Sequence, residues 1–537
     1  MQKGGATKAL RAAFMRRSLD EWDTPRPSWI GYPRERVEQF SPGSKAILEL
    51  SSERDLDVLQ KLYANGVLLG DQGPDGWGIR YSTEFHMTND SKLFPPRPKW
   101  EAKGYVPDEY GHWLKGGWKP YSGPHSILER PKGTVLSRDG QQAIRVEAIE
   151  DVALPVYEGR MIGQFDFSEK GWVSGKGRSA EWREIGFEDR PIEPQFLMSK
   201  TAYLSARDRD DNPKAVRGLK LGFMDVSSAT NTRTTIAALC ADAPHGNKVP
   251  LLTPSVPGRV APLGALMNSF AYDFAMRARL GGLTLNYFIV EETPLPSARQ
   301  PGLDGLGQHA LSLSANAPRY ARAWLTARST ERSWQSSWAR TPAERLRRRV
   351  MADALAASAF GLTLENLRWI LRDCDHPTDL VSSNDFARRL DPKGFWRIDK
   401  EQHPELRHPV LVLIAYHALT ANGRATDFES HDGWTLPDTL RLADYDLGHD
   451  ERAKIHQPVA SLLGPRFYDW QLAQDAAESW EECERHAELL DRILPLPAAS
   501  APTTVGDKPQ AGKTDLFGNP VETDLFGNPV PRRRGRR

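Results

Sequence analysis

The sequence predicts a mixed α+β fold: an α/β lobe, then a helical domain, then a disordered C-terminal tail. Three observations carry that reading. Apolar and β-branched residues fill 221–226 and 234–240, give way to helical spacing from Pro262, and return as an apolar run at 283–292. Such a strand, helix, strand succession favours α/β packing over a bundle. Beyond Pro301 the pattern is helical. After residue 497 it loses its hydrophobics to Ala, Pro, Thr, Gly and charge, a composition that cannot bury enough surface to offset chain entropy.

The 537 residues, 39% of them hydrophobic, suffice for two or three cores. Cys240, Cys374 and Cys483 lie far apart without metal-ligand spacing, so each is expected to be a buried thiol in a reducing cytoplasm. No signal-peptide pattern and no 18-residue apolar stretch occurs, which predicts a cytoplasmic protein away from the membrane. With 71 basic and 70 acidic side chains, any nucleic-acid surface must be local. The 16 tryptophans are expected to be mainly structural.

Residues 1–31 read as a leader with a basic, helix-like stretch around Lys8, Arg11, Arg16 and Arg17, broken at Pro25 and Pro27. In the lobe, 32–300, a strand is expected at Ala46–Leu50. A helix capped by Ser51 or Ser52 follows, burying Leu56, Leu59, Leu62 and Tyr63 and ending at Gly66. Residues 70–124, dense in Gly, Pro and Trp, read as an irregular insertion. Strands are expected in 142–149 and through VYEGRMIGQFDF, with a turn at Glu158-Gly159, before the glycine-rich loop EKGWVSGKGRSAEW. The 221–226 and 234–240 strands flank a polar connection, Ser227 to Arg233. From Pro262 a helix carries Leu263, Leu266, Met267, Phe270 and Phe274 until Gly281-Gly282, and LTLNYFIVEE then reads as a buried strand. The helical domain, 301–497, opens its clearest helix on the capping box Thr341-Pro342-Ala343-Glu344. Another starts at Thr363, and LVLIAYHAL forms a third. The tail, 498–537, repeats TDLFGNPV and ends in PRRRGRR.

Several stretches in this order resemble the region downstream of the catalytic domain in large adenine-specific DNA methyltransferases, including type IIG restriction-modification enzymes and the BREX methyltransferase. They are RVEQFSPGSKAILELSS with GIRYSTEFHMTNDSKLF; PVYEGRMIGQFDF, DVSSATNTRTTIAALC and LGALMNSFAYDFAMRARLGGLTLNYFIVEETPLP; and AFGLTLENLRWIL with HPELRHPVLVLIAYHAL. Together they spread over most of 32–490. The chain departs from those enzymes in lacking their Asn-Pro-Pro-Tyr motif, which holds a flipped adenine. LFPPRP has Phe94 before its prolines and Arg97 after, and reads as a rigid turn. The glycine-rich turn of a cofactor site is also missing, DGLGQH at 304–309 being a weak match.

The resemblance implies a specificity component that reads double-stranded DNA and presents it to a separate methyltransferase subunit. No catalytic residue and no cofactor are expected in this chain, and S-adenosylmethionine belongs to the partner subunit. Bases are read by Arg, Lys, Asn or Gln in a groove while cations hold phosphates. Asn231 and Arg233, between two strands, fit the first role, or else form a surface turn whose Arg pairs with an acidic neighbour. Lys170, Lys176 and Arg178, among glycines, fit a flexible phosphate clamp, or else a solvated loop. Arg277 and Arg279 fit a helix-dipole role. Asn268-Ser269 fits packing of the helix against the following strand, and His403 and His408 fit packed histidines. In the tail, Leu516, Phe517, Leu525 and Phe526 resemble peptides that engage the sliding clamp, against the alternative of a tandem duplication without function. A non-catalytic scaffold or DNA-binding protein of a defence complex, and a C-terminal remnant of a fused enzyme, remain open beside the specificity reading.

Overall fold

The computed structural model describes residues 7–14, 19, 29–187, 190–207, 217–256, 258–328, 332–422, 425–430 and 432–496. Both TDLFGNPV copies, with Leu516, Phe517, Leu525 and Phe526, lie outside the described residues. Helices and small sheets alternate along the chain, and the paired strands of the described residues run antiparallel. One four-stranded sheet has the order Ala237–Cys240, Lys220–Phe223, Leu251–Thr253, Arg80–Ser82. In it Leu221 pairs with Leu239 and Leu252. A second has the order Leu197–Ser199, Ile149–Pro155, Trp113–Gly116, Val106–Pro107. The mixed α+β class holds, built from antiparallel sheets rather than parallel crossovers.

The capped helices form where side-chain oxygens meet orphan amides. Ser52 accepts from Asp55 N at the start of Glu53–Ala64, whose Leu56, Leu59, Leu62 and Tyr63 are buried. Thr363 does the same for Leu364–Ile370, and Thr341 for Pro342–Ala359. Only half of the expected box forms at Thr341, because Glu344 turns instead to Arg347, Arg348 and Arg466.

Other expectations fail where tertiary contacts override local pattern. The 262–280 helix is two helices, Val260–Met267 and Phe270–Arg279. Asn268 closes the first helix with its amide on Gly264 O while its side chain exchanges hydrogen bonds with Ala237 N and O, on the strand before it rather than after, and Ser269 caps the second helix. The run 283–292 is not a strand. Its centre is the short helix Tyr287–Val290, with Tyr287 stacked on Tyr81; short apolar runs do not distinguish the two states. Residues 46–50 form no strand, the leader's Ala9–Ala12 is a strand paired with Ile30–Pro33 rather than a helix, and 156–167 holds a 3-10 turn, Gly159–Met161, instead of strands. DGLGQH lies inside the helix Leu303–Ser314. Residues 70–124 carry only short elements around buried Trp77 and Trp113.

Met1–Pro495 groups as one unit, and its main hydrophobic core takes in residues from Ile30 to Leu494. Helix Val260–Met267 packs on Leu303–Ser314, which in turn meets Pro342–Ala359. The core therefore runs through position 300 without interruption.

Candidate nucleic-acid interface

The connection between the central strands is held rigidly from behind. Ser227 Oγ donates to Thr234 O at 2.6 Å. The buried Asp273 carboxylate accepts from the amides of Thr234 and Thr235, and Arg277, 2% exposed, donates to the carbonyls of Asn231 and Thr232 at 2.9 and 2.8 Å. The same guanidinium donates to the carbonyls of Lys393 and Gly394 and lies 4.0 Å from the Phe395 ring centroid. Arg277 is thus structural, but as a clamp joining two loops as well as a charge at a helix end. Asn231 is exposed, and its side chain makes no hydrogen bond among the described residues.

Arg233 does not share that exposure. It is 7% exposed, sits 3.8 Å from the Phe270 ring centroid, lies 3.8 Å from Asp353 and donates to Asn268 O at 3.3 Å. Its charge is committed to the interior, so the expectation of a DNA-contacting Arg233 gives way to a structural role. His408 is buried beside it, 3.0 Å from Asp353 Oδ2, whereas His403 is exposed.

The glycine-rich segment expected as a flexible loop is a β-hairpin, Lys170–Ser174 with Glu181–Glu184. Trp172 pairs across it with Trp182, and Arg97 lies 5.0 Å from a Trp172 ring centroid. Trp172 Nε1 and Gln195 Nε2 both donate to Gly175 O, at 3.1 and 3.3 Å. Gly175 has φ +76°, and a Cβ there would come within 2.2 Å of Ser179 O, so the turn requires glycine. Lys176 and Arg178 are exposed at the tip, while Lys170 lies at the base, 3.9 Å from Glu184.

The base of the hairpin, but neither its tip nor the Asn231 connection, borders a cleft of about 510 Å³. Gln164, Glu169 and Glu184 bring the hairpin's foot to one wall; Arg345 and Arg349, from helix Pro342–Ala359, form another; Gln402 closes a third side. Gln164 Nε2 donates to Asn268 O at 2.8 Å, the carbonyl that also receives Arg233. Gln164, upstream of the hairpin, and Arg233, at the end of the Asn231 connection, therefore share a single backbone acceptor. Arg345 and Arg349 escaped the sequence reading. Their i, i+4 spacing within RLRRRV places both on one helix face, but which arginines of that run point to a cleft depends on Glu344 taking Arg347 and Arg348.

No protein-family model matches the chain, and no curated protein matches it significantly. Among the described residues, no helix is long and apolar enough to cross a membrane.

Proposed function

We propose that this chain is the DNA-recognition component of an adenine-specific DNA methyltransferase in a restriction or phage-defence system, presenting DNA to a separate catalytic subunit that binds S-adenosylmethionine. The observation that supports this reading is a braced hairpin exposing Lys176 and Arg178, beside a second braced connection exposing Asn231. Recognition needs this division: cations hold phosphates and set register, while an amide reads a base edge. Bracing keeps the ordering cost low on binding. The tail's Leu516, Phe517, Leu525 and Phe526 would add a tether to a sliding clamp, two copies acting through effective concentration.

Adenine methylation mapped across the native host genome, with and without this gene and with every methyltransferase gene left intact, tests the proposal. The expected outcome is loss of methylation at one sequence motif. An unchanged methylome overturns it. Replacing Lys176 and Arg178 by Gln should weaken duplex binding by the purified chain and lower the salt dependence, log K against log salt, by about one per lost phosphate contact.

A further inference from the structure

The cleft's two arginines differ from the other arginines of their helix. Arg347 and Arg348 share Glu344. Arg345 is 6% exposed and donates to the carbonyls of Leu313 and Ala339, at 2.8 and 3.2 Å, without a carboxylate within ion-pair distance among the described residues. Arg349 is half-buried and makes neither hydrogen bond nor ion pair among the described residues, and its Nε is enclosed without a partner. Asp353, one turn along, is engaged by Phe270 N, His408 and Arg233. Taking guanidinium groups out of water without an anion is costly.

The facing carboxylates do not supply that anion. Asp166 is bound by Arg190, Glu184 pairs with Lys170, and Asp399 accepts from His408 N at 3.0 Å. Burial, with Asp166 and Glu184 nearby, pushes the Glu169 carboxyl up toward its neutral form. Arg345 is also fixed in place, its guanidinium 3.7 Å from the Phe187 ring centroid. The result is a pair of cations on one wall of a cleft, fixed on an 18-residue helix whose N-terminal Pro342 also lines the site.

We propose that this cleft binds a phosphate group carried on a nucleotide, with Arg345 and Arg349 as its ligands. Guanidinium and phosphate form charge-assisted, paired hydrogen bonds. A cleft of about 510 Å³ falls in the size range of sites that enclose small organic ligands, larger than a bare anion needs. The phosphate has two sources, a free mononucleotide or one residue of a DNA strand; only the second rests on the DNA-recognition reading.

The test uses the full chain and its Arg349→Gln variant, titrated calorimetrically with orthophosphate, a 5′-mononucleotide and a short duplex. Because Arg349 has no partner to lose, the variant should melt at the wild-type temperature, whereas Arg345→Gln removes two internal hydrogen bonds and serves only as a second variant. The expected result is mononucleotide binding weakened about tenfold or more by Arg349→Gln, together with a duplex salt dependence lowered by about one. Phosphate or mononucleotide binding that depends on Arg349, with no duplex binding by the wild type, upholds the site and overturns DNA recognition. Duplex binding by the wild type, with phosphate and mononucleotide binding either absent or indifferent to Arg349→Gln, overturns the site and leaves DNA recognition standing. No binding of any of the three overturns both.

Discussion

Among the described residues Glu158 Oε1 is enclosed without a hydrogen-bond partner, and burial pushes its carboxyl up to about 7, opposed in part by Arg160. An unfolded glutamate titrates near about 4.3. Between those values the native state holds a proton that the unfolded chain has released, so this group lowers stability as pH rises through the window. His309 acts in the opposite sense. Buried, accepting from Arg348 at Nδ1 and donating from Nε2 to Phe428 O, it is held down to about 3, so its contribution is complete above about 6.5 and is lost as pH falls toward 3. Subtracting one variant from the wild type separates them: Glu158→Gln should gain on the wild type between about pH 5 and pH 8, by up to about 3 kcal/mol, in urea unfolding. A constant difference across that range would show that Glu158 does not titrate there. The burial of such side chains is poorly legible in sequence. Arg277 and Arg279 could be assigned to structure from their place in the last helical turn, but Arg233 could not, since His408, which packs beside it, lies 175 positions along the chain.

Elements were legible where local chemistry decides them. Ser52, Thr341 and Thr363 each cap the helix expected of them, because a hydroxyl and an orphan amide three residues on need nothing distant. The two central strands were legible from their apolar runs, observed as Lys220–Phe223 and Ala237–Cys240, but their antiparallel pairing was not. The hairpin at 170–184 was not, since its stability comes from Trp172, Trp182, Arg97 and Gln195 meeting across the fold, and glycine content by itself reads as a loop. The Thr341 cap gives a direct test. Its hydroxyl accepts from Glu344 N at 3.2 Å and donates to Arg466 O at 2.8 Å, so it ties the long helix to a later segment. Thr341→Ala should cost about 1–2 kcal/mol in chemical denaturation and Thr341→Ser much less. Equal losses for the two would place the effect in the methyl group's packing instead.

For the whole molecule, the composition change near Pro301 suggested a lobe and a separate helical domain, yet the interactions that cross that position are those of an interior. Tyr320 donates its hydroxyl to Leu239 O at 2.8 Å, Phe270 N donates to Asp353 at 2.7 Å, Lys61 Nζ to Asn366 at 2.8 Å and Asn65 to Phe360 O at 3.2 Å. Helices 260–267 and 303–314 share apolar faces, with Leu263, Leu266, Leu306 and Ala310 fully enclosed. Cutting the chain at residue 300 would expose both faces at once, and apolar area is the main term favouring folding. Independent domains joined by a modest interface unfold in separate steps, whereas one continuous core unfolds cooperatively. Scanning calorimetry of the full chain should therefore show a single heat-absorption peak. Destabilising either side, by Thr341→Ala in the helical half or Leu56→Ala in the other, should move that whole peak downward, the second by the larger amount because it leaves a cavity. Two peaks, with each substitution moving only its own, would restore the boundary at residue 300. They would also mean that the hairpin and the arginine wall of the cleft, which come from opposite sides of that boundary, can part while each half stays folded.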